Sequence, residues 1–579
     1  MKTKFLTRLA ALLTVLAIAL PLISAAAETA TAHAWWQDTI VYQIYPLSFQ
    51  DTDGNGRGDL RGIDMHLDYL ASLGVGAVWL TPVFVSPMVD NGYDVADYTG
   101  IDPLYGTMDD MDQLIADAAD AGIRIVMDMV VNHTSDQHPW FTESASGRDN
   151  PKSDWYIWRD PKPDGSAPNN WRSIFGGSAW TWCEARGQYY LHTFAVQQPD
   201  LNWENPDVRR AISDAANFWL DKGVGGLRVD AVPYIKKPAD FSDGEPDGED
   251  GMVGIHAMTA NTAGILDFLR EFRENTVAGR DVFTVGEANG VQPSELDDWV
   301  GANGVFDMIF EFSHVDIGSG TAHTWSDPAP WTLTDLKRTF AASQAATREN
   351  GWYPVFLENH DQPRSIDHFL PDADRVSAAK LLGTLLLTMR GTPFIYEGQE
   401  LGYANAGWQD LSIYNDLNTH AQYDFAIQEG FTPEEALQGV QRFSRDNART
   451  PMQWDNGENA SFTIGAPWLP VHDDFALVNV AAESADPDSV LSWYRTLTAL
   501  RAASPELLYG DYEELFPESE QIFAFRRAAE DGEMVVLLNF TNDAVTYDAS
   551  AVEGLEPLLS SAGAAEAGVL QPLEAAIWH

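Results

Sequence analysis

The chain has 579 residues, 45% of them hydrophobic, and its 86 acidic residues outnumber 35 basic residues to give a formal charge of −51. This length exceeds what one hydrophobic core usually supports, and the apolar content excludes wholesale disorder. The negative field repels nucleic acid and anionic lipid surfaces, whereas a neutral sugar feels little of it. One hypothesis for the charge is adaptation to high salt, where screening relieves the self-repulsion.

The N-terminal segment has the pattern of an export signal. Three basic residues within the first eight positions precede an apolar run over residues 9–23, and small residues follow. The run contains Pro21 and is short for a membrane span, so we predict a signal peptide over residues 1–27 rather than an uncleaved anchor. The protein is then secreted or periplasmic, without integral membrane association after cleavage. The single cysteine, Cys183, permits no internal disulfide.

Strand and helix patterns alternate along the chain as in βα units. This alternation predicts an α/β fold, a (β/α)8 TIM barrel. The predicted barrel strands are Ile40–Ile44, Ala77–Leu80, Arg124–Met129, Leu227–Asp230, Val282–Glu287, Phe306–Phe310, Val355–Leu357 and Pro393–Tyr396.

Two stretches interrupt the alternation, and a third replaces it. Residues 133–198 are rich in Trp, Gly and Asn and lack a helical period, so we predict a small inserted domain after the third strand. A second irregular stretch, residues 402–449, is predicted to form part of the cleft rim. From residue 505 the pattern becomes β, with a turn at Asp531-Gly532, which predicts a C-terminal antiparallel β domain over residues 505–579. The predicted barrel therefore comprises residues 35–132 and 199–504.

The loop after the first strand has the spacing of a metal site. Asp51, Asp53, Asn55 and Asp59 stand at positions one, three, five and nine, and Arg57 offers a backbone carbonyl. Oxygen ligands at this spacing, with glycines that allow a tight turn, resemble an EF-hand calcium loop, although the glutamate at position twelve is lacking. We predict a structural Ca²⁺ ion here; the alternative is a turn satisfied by Asx hydrogen bonds.

Arg228 and Asp230 stand two positions apart on a short apolar strand. Successive strand side chains alternate faces, so the two point the same way. A guanidinium favours the charged form of a neighbouring carboxylate and lowers its pKa, as a carboxylate nucleophile requires. Asp230 is therefore the candidate nucleophile, and the alternative is a structural ion pair at a strand end.

Three further segments place polar side chains where predicted strands end. They are residues 128–133, which end at His133, residues 283–287, which end at Glu287, and residues 355–361, which end at His360-Asp361. Because the active sites of (β/α)8 barrels lie at the carboxyl ends of the strands, these side chains are expected in one cleft.

Taken together, the four segments resemble those of the α-amylase family of glycoside hydrolases, in the same order, and the resemblance runs from about Trp36 to the C-terminus. The chain is most similar to the oligosaccharide α-glucosidase branch, which includes oligo-1,6-glucosidases and maltase-like enzymes, through residues 198–202, 359–364 and 449–454. The resemblance implies a retaining, exo-acting α-glucosidase that releases glucose from short α-1,4 and α-1,6 glucosides. It implies no organic cofactor, and members of this branch also carry a metal loop after the first strand.

The resemblance also assigns roles to the carboxylates. Asp230 would attack the anomeric carbon, and Glu287 would protonate the leaving oxygen and later deprotonate water. Glu287 then needs a raised pKa, which apolar neighbours and a nearby negative charge supply. Asp361 would be the third carboxylate, holding the sugar hydroxyls and favouring distortion of the ring.

The remaining expected site residues bind substrate. His133 and His360 would donate hydrogen bonds to the sugar ring. Tyr93 would stack on the nonreducing glucose, and Asp94 would accept from its outer hydroxyls with Arg449 as its charge partner. That pair would close the cleft beyond the terminal sugar and make the enzyme exo-acting.

Two kinds of alternative function remain. Trehalose synthases and sucrose isomerases, which act as transglucosidases, use the same glycosyl intermediate, but Gln362-Pro363-Arg364 favours hydrolysis and residues 365–369 lack the Arg/Asp-rich run of the isomerases. Non-catalytic barrels that serve as membrane partner subunits keep an anchor and lose members of the carboxylate set, which is present here.

The residue after the nucleophile bears on linkage preference. Isomaltose-cleaving relatives tend to carry valine at this position, whereas this chain has Ala231. Strand alternation would turn its side chain away from Asp230. At the strand end it can still border the acceptor subsite, where a small residue removes methyl contacts that would steer the second sugar. We therefore predict that α-1,4 substrates are hydrolysed at least as well as isomaltose.

Overall fold

The computed structural model describes residues 33–301, 303–319, 324–349, 351–530 and 532–579. The predicted signal peptide and Asp531 of the predicted turn lie outside the described residues.

Eight short parallel strands form the centre of the molecule. Most of their residues are apolar, and almost all are buried, as expected where helices cover the outside of a sheet. The strands are β1 (Val41–Ile44), β2 (Ala77–Leu80), β3 (Arg124–Val130), β4 (Gly226–Asp230), β5 (Phe283–Glu287), β6 (Met308–Phe310), β7 (Pro354–Val355) and β8 (Thr392–Tyr396).

The strands pair in the order β6-β5-β4-β3-β2-β1-β8-β7. Every neighbouring pair in this order is parallel. Strands β6 and β7 lie next to each other at the open ends, which nearly closes the barrel. Each observed strand overlaps its predicted range, and the predicted TIM barrel is confirmed.

Helices surround the strands and begin at side-chain caps. Thr107 and Asp110 form a capping box at the first long helix, and Asn205 caps the helix that precedes β4. The α-helices of the described residues are Pro46–Phe49, Leu60–Met65, Leu67–Ser72, Met108–Asp120, Pro139–Ala145, Pro206–Asp221, Ile255–Thr259, Ile265–Asn275, Leu296–Trp299, Leu333–Ala346, Ser365–Phe369, Arg375–Thr388, Leu417–Gln428, Pro433–Phe443, Val480–Ala485, Val490–Ala503 and Pro505–Tyr509. In this described part of the chain, no helix is both long enough and apolar enough to span a membrane.

Between β3 and β4 the chain forms a small antiparallel sheet of Trp158–Arg159, Gln188–Leu191 and Trp180–Cys183. A bridge between His133 and Asp200 joins the two ends of this segment. A further strand of the insertion, Trp171–Arg172, pairs with Val253–Gly254 of the long loop after β4. The insertion therefore stands beside the loop that follows the candidate nucleophile.

The stretch after β8 is more regular than we predicted. It contains the helices Leu417–Gln428 and Pro433–Phe443. Asp416 caps the first, and Thr432 forms a capping box with Glu435 at the second. These capping signals are present in the sequence but are spread over a stretch with little apolar periodicity.

The C-terminal part forms a five-stranded antiparallel sheet. Its strands, in spatial order, are Asp511–Leu515, Ile522–Ala529, Gly532–Asn539, Ala575–Trp578 and Pro557–Ser560. Arg527 of this sheet is fully buried and donates hydrogen bonds to the carbonyl oxygens of Gly510 and Thr388. Because Thr388 ends the helix that precedes β8, this arginine fixes the sheet to the barrel.

Candidate active site

A buried arginine gathers three carboxylates at the carboxyl ends of β3, β4 and β5. Arg228 Nη1 donates to Asp230 Oδ1 at 2.6 Å and to Asp128 Oδ1 at 2.8 Å. Its Nη2 donates to Glu287 Oε2, also at 2.6 Å. The predicted side-by-side placement of Arg228 and Asp230 is therefore observed, and Glu287 shares the same guanidinium.

The electrostatics of Asp230 differ from the sequence expectation. Burial raises the pKa of Asp230 well above its ordinary value; Arg228 opposes this rise, and the nearby Glu287 and Asp128 add to it. The expected net lowering of this pKa is therefore wrong, because burial and two like charges outweigh one guanidinium. Arg228 contacts both Asp230 and Glu287, so the guanidinium partly offsets the repulsion between the two carboxyl groups.

Asp361 lies in the loop after β7 and is held by cations. Its Oδ1 accepts hydrogen bonds from Arg445 Nη1 at 3.0 Å and Arg449 Nη2 at 2.9 Å. His360 Nε2 is 3.1 Å from Asp361 Oδ2. Burial alone would raise the pKa of Asp361, but His360 and the two arginines lower it below its ordinary value. Asp361 is thus an anion across the working range of the protein.

The two predicted histidines are buried and neutral. Burial lowers the pKa of His133 to about 4 and that of His360 to about 3. Gln43 Nε2 donates to His360 Nδ1 at 2.7 Å, which leaves the proton of this ring on Nε2, 2.6 Å from the hydroxyl of Tyr93. His133 Nε2 lies 3.2 Å from the carbonyl oxygen of Tyr93. Tyr93 therefore connects both histidines, and its ring stacks on His360 with centroids 5.3 Å apart.

The predicted pair of Asp94 and Arg449 is wrong for these two described residues. Asp94 is fully buried and accepts hydrogen bonds from the hydroxyl of Ser86 and the backbone N–H groups of Val89 and Asp90. Its acceptors are used within its own loop, because the chain turns tightly from residue 86 to residue 94. Arg449 instead binds Asp361 and the carbonyl oxygen of His360.

Asp90 and Arg445 supply the pair that sequence reasoning missed. Arg445 Nη2 donates to Asp90 Oδ1 at 3.2 Å, and Gln198 Nε2 donates to Asp90 Oδ2 at 3.0 Å. Burial raises the pKa of Asp90 to about 6 against the opposing effect of the two arginines. Each missed residue lies four positions before the predicted one, in a segment already singled out. The sequence alone could not show whether Asp90 or Asp94, and whether Arg445 or Arg449, forms the ion pair.

Ala231 does not continue the strand as the sequence suggested. Its φ of 51° and ψ of 33° are left-handed, and its backbone N–H donates to Glu287 Oε2 at 3.1 Å. The strand ends at Asp230, so strand alternation does not set the direction of the Ala231 side chain.

The loop after β1 gathers three carboxylates. Asp51, Asp53 and Asp59 each offer an oxygen within 4.8 Å of the others, and oxygen-only donor sets of this kind suit calcium. The Asx hydrogen bonds of the alternative are also present, since Asp53 accepts from the N–H of Asn55, and Asn55 accepts from that of Arg57. The donor set fits the ion, and its presence stays a prediction.

A cavity of about 430 Å³ lies between the insertion, the loop after β4 and the helix Leu417–Gln428. Its lining includes Phe175, His256 and Phe425. The guanidinium of Arg445 lies 5.1 Å from the Phe175 ring, and His256 Nδ1 is 2.8 Å from the hydroxyl of Tyr234. The cavity is of a size that small ligands occupy. Asp230, Glu287 and Asp361 are not among its lining residues, so Phe175 and His256 connect it to the active-site residues only through Arg445 and Tyr234.

Two carboxylates at the ends of adjacent barrel strands, with a third held by arginines across the cleft, define a barrel glycoside hydrolase. The chain belongs to the α-amylase family, since the model described as the alpha-amylase catalytic domain matches residues 43–510.

Relatives of known name cover nearly the whole chain. It is 42% identical to the oligo-1,6-glucosidase of Parageobacillus thermoglucosidasius, over 94% of this chain and 98% of that one. It is 42% identical to the trehalose-6-phosphate hydrolase of Escherichia coli, over 90% and 93% of the two chains. Among solved structures, the trehalulose synthase of Pseudomonas mesoacidophila superposes with a TM-score of 0.88 at 38% identity, over 94% of this chain and 99% of that one.

Proposed function

We propose that the protein is a retaining α-glucosidase that releases glucose from the nonreducing end of short α-glucosides. The observation that carries this proposal is the bridge from Arg228 to both Asp230 and Glu287. Relatives named oligo-1,6-glucosidase and alpha-glucosidase, about 40% identical over nearly the whole chain, support the same activity.

The chemistry proceeds in two displacements. Asp230 attacks the anomeric carbon and forms a glycosyl ester, while Glu287 gives its proton to the leaving oxygen. A water then attacks the anomeric carbon, the ester bond breaks, and Glu287 takes the proton from that water. At the first step this mechanism requires an ionised Asp230 and a protonated Glu287. Contact with Arg228 stabilises the Asp230 anion that this arrangement requires.

The other charged groups bind the sugar at the reacting position. Asp361 remains ionised and can accept hydrogen bonds from ring hydroxyls. His133 and His360 are neutral and contact Tyr93, and donation from them to the sugar would require these contacts to be exchanged for contacts with its hydroxyls. The pair of Arg445 and Asp90 closes the far end of this pocket, which supports release of one glucose at a time.

Two further properties are part of the proposal. The carboxylates of Asp51, Asp53 and Asp59 would hold a structural calcium ion, which would supply a fixed positive charge for this loop and take no part in hydrolysis. The signal pattern of residues 1–27 supports a secreted or periplasmic location.

A second candidate, sucrose isomerisation, is favoured by one observation. The trehalulose synthase of Pseudomonas mesoacidophila and the isomaltulose synthase of Erwinia rhapontici both superpose with a TM-score of 0.88. An isomerase would return the glycosyl group to a sugar hydroxyl rather than to water.

Chromatography of the products from maltose, isomaltose and sucrose tests these functions directly. We expect glucose as the product released from maltose and isomaltose, and glucose with fructose from sucrose. Trehalulose or isomaltulose as the main product from sucrose would overturn the hydrolase assignment.

Two variants test the roles of the carboxylates. Asp230→Ala should abolish most hydrolysis in a folded protein. Glu287→Gln should also lose most hydrolysis but should still form the glycosyl-enzyme from aryl α-glucosides, because good leaving groups need little acid help. Near-normal turnover of an aryl α-glucoside by Asp230→Ala would remove Asp230 as the nucleophile.

A further inference from the structure

Asp416 is a buried carboxylate in the stretch after β8 that takes no part in the proposed chemistry. It is 1% exposed and lies at the start of the helix Leu417–Gln428. Its Oδ1 accepts a hydrogen bond from Arg445 Nε at 2.9 Å and a second from Nη2 of the same guanidinium. Its Oδ2 accepts from the N–H of Thr419 at 3.0 Å and from the Thr419 hydroxyl at 2.8 Å. Oδ1 also accepts from the N–H of Asn418 at 3.3 Å. One oxygen therefore binds both the arginine and the first turn of the helix, and the other binds the helix alone.

The remaining donors of Arg445 reach the sugar pocket. Nη1 donates to Asp361 Oδ1 at 3.0 Å, and Nη2 donates to Asp90 Oδ1 at 3.2 Å. A guanidinium is planar and presents its donors in a rigid fork. Fixing the Nε edge on Asp416 therefore fixes the direction in which Nη1 and Nη2 point.

We propose that Asp416 is a positioning residue for the reaction, which holds Arg445 in the orientation that places Asp361 and Asp90 around the reacting glucose. This inference rests on the proposed α-glucosidase function. Asp416 acts through Arg445 and touches no substrate itself.

The charges around Asp90 give the proposal a measurable signature. Burial raises the pKa of Asp90, Arg445 and Arg449 lower it, and Asp416 and Asp94 raise it. The other groups that contact Asp90 in the described structure, Gln198 and the N–H of Tyr93, are uncharged at neutral pH. Loss of the Asp416 charge alone would lower the pKa of Asp90. Displacement of Arg445, which contacts Asp90 and has the larger effect, raises it. If Asp416 holds Arg445 in place, the acidic limb of kcat/KM in a variant without this carboxylate should therefore move to higher pH.

Asp416→Asn can keep the contacts of Oδ2 with Thr419 and changes those of Oδ1, which are with Arg445 and the N–H of Asn418. Asparagine caps helices as well as aspartate does, so its amide oxygen can remain on Thr419. Its NH2 group then faces the guanidinium, and two donors repel each other. We expect kcat/KM for maltose to fall by about tenfold or more, because small displacements of positioning groups cost large factors in rate. Asp416→Ser should also lose kcat/KM, because serine can cap the helix but has no carboxylate to bind the guanidinium of Arg445.

The matched control is Asp410→Asn. Asp410 is exposed and caps the short helical turn Leu411–Ile413 of the same stretch through Ser412, without contact to an arginine. This variant should keep the wild-type kcat/KM and acidic limb.

A double-mutant cycle with Arg445→Gln tests whether Asp416 acts through Arg445. Once Arg445 has been removed, Asp416→Asn should cost little further activity, since coupled residues are not additive. A full additional loss on the Arg445→Gln background would overturn the proposal. So would a folded Asp416→Asn with kcat/KM within twofold of wild type and an unmoved acidic limb.

The same assays separate this proposal from the function on which it rests. Wild-type and Asp410→Asn protein are assayed first with maltose and an aryl α-glucoside. A wild type that releases no glucose from either overturns the proposed function. An active wild type whose activity does not depend on Asp416 overturns only the positioning role.

Discussion

Ala231 follows the candidate nucleophile in a left-handed conformation, and its backbone N–H binds the carboxylate of Glu287. Few residues other than glycine adopt such a backbone readily, and β-branched residues do so least. The position therefore links the geometry of the catalytic pair with the stability of the turn Val232–Tyr234.

Ala231→Val should change both stability and linkage preference. The β-branched side chain strains the turn and lowers the melting temperature. The linkage part of the prediction is that its added methyl groups reach the second sugar. Such groups are worth about 1–3 kcal/mol of discrimination between substrates. We expect wild type to hydrolyse maltose at least as well as isomaltose, and the variant to shift the ratio of kcat/KM values towards isomaltose.

Ala231→Gly is the control for this prediction, because glycine suits the backbone and adds no methyl group. It should melt no lower than wild type and keep the wild-type ratio. A wild type that cleaves isomaltose but hardly touches maltose would contradict the prediction and leave the retaining mechanism untouched.

The sequence located the candidate carboxylates because each stands where a buried strand ends, and strands of this kind have a strong apolar signature. The predicted pair of Asp94 and Arg449 is wrong because tertiary packing determines which groups each of these two side chains contacts. Ser86 and two backbone N–H groups satisfy Asp94, whereas Asp361 takes Arg449. The direction of the Asp230 pKa was missed for a similar reason, since the extent of burial is invisible in a strand pattern.

At the scale of single elements, the loop between β1 and the helix Leu60–Met65 is tightly constrained. Gly54 and Gly56 have φ values of 84° and 86°, and a Cβ on Gly56 would lie 1.9 Å from the carbonyl oxygen of Ala466. Asp51 is tied to the same neighbouring loop by a hydrogen bond from Thr463. A cation bound by the carboxylates of the first loop would hold Asp51 in place. Because Asp51 accepts the hydrogen bond from Thr463, the cation would also stabilise the contact with the second loop.

Removing calcium should lower the melting temperature, because an ion that binds only the folded state adds stability by mass action. Activity at low temperature should survive, since the ion takes no part in hydrolysis. The measurement is thermal unfolding with and without chelator, on a sample first shown to contain calcium. Asp53→Asn, which removes one exposed ligand, should reduce the response to chelator. An unchanged melting temperature in the loaded wild type would exclude a structural metal.

The barrel strands were predicted closely and the two helices after β8 were not, for a physical reason. A parallel strand covered on both faces must be a run of apolar residues. The helix Leu417–Gln428 buries little beyond Thr419 and Ala426, so its sequence carries almost no periodic signal. Only the cap at Asp416 marks its start.

At the scale of the whole molecule, acidic residues exceed basic ones by more than two to one. Some of the arginines are buried and do not neutralise surface carboxylates. Arg501 and Arg527 are fully buried and donate to backbone carbonyls near the end of the helix Arg375–Thr388. The surface therefore carries an excess of negative charge that repels itself at low ionic strength.

Salt should stabilise this molecule. The screening length falls from about 10 Å at 0.1 M salt to about 3 Å at 1 M, so repulsion between surface carboxylates fades over this range. We expect the melting temperature to rise and activity to be kept or to increase from low salt to molar NaCl, with KCl acting alike. A steady fall of activity over the same range would count against adaptation to high salt.

The bridge between His133 and Asp200 means that the inserted segment leaves the barrel and returns to it at one point. A segment with joined ends behaves as a module. Doubling the length of such a loop costs only about 0.6 kcal/mol of closure entropy, and the register of β3 and β4 stays the same. Natural recombination or laboratory grafting could thus exchange the module for a longer or shorter one, provided the pairing of Trp171–Arg172 with the loop after β4 is kept. The depth of the cleft, and with it the chain length of preferred substrates, can then evolve independently of the catalytic strands.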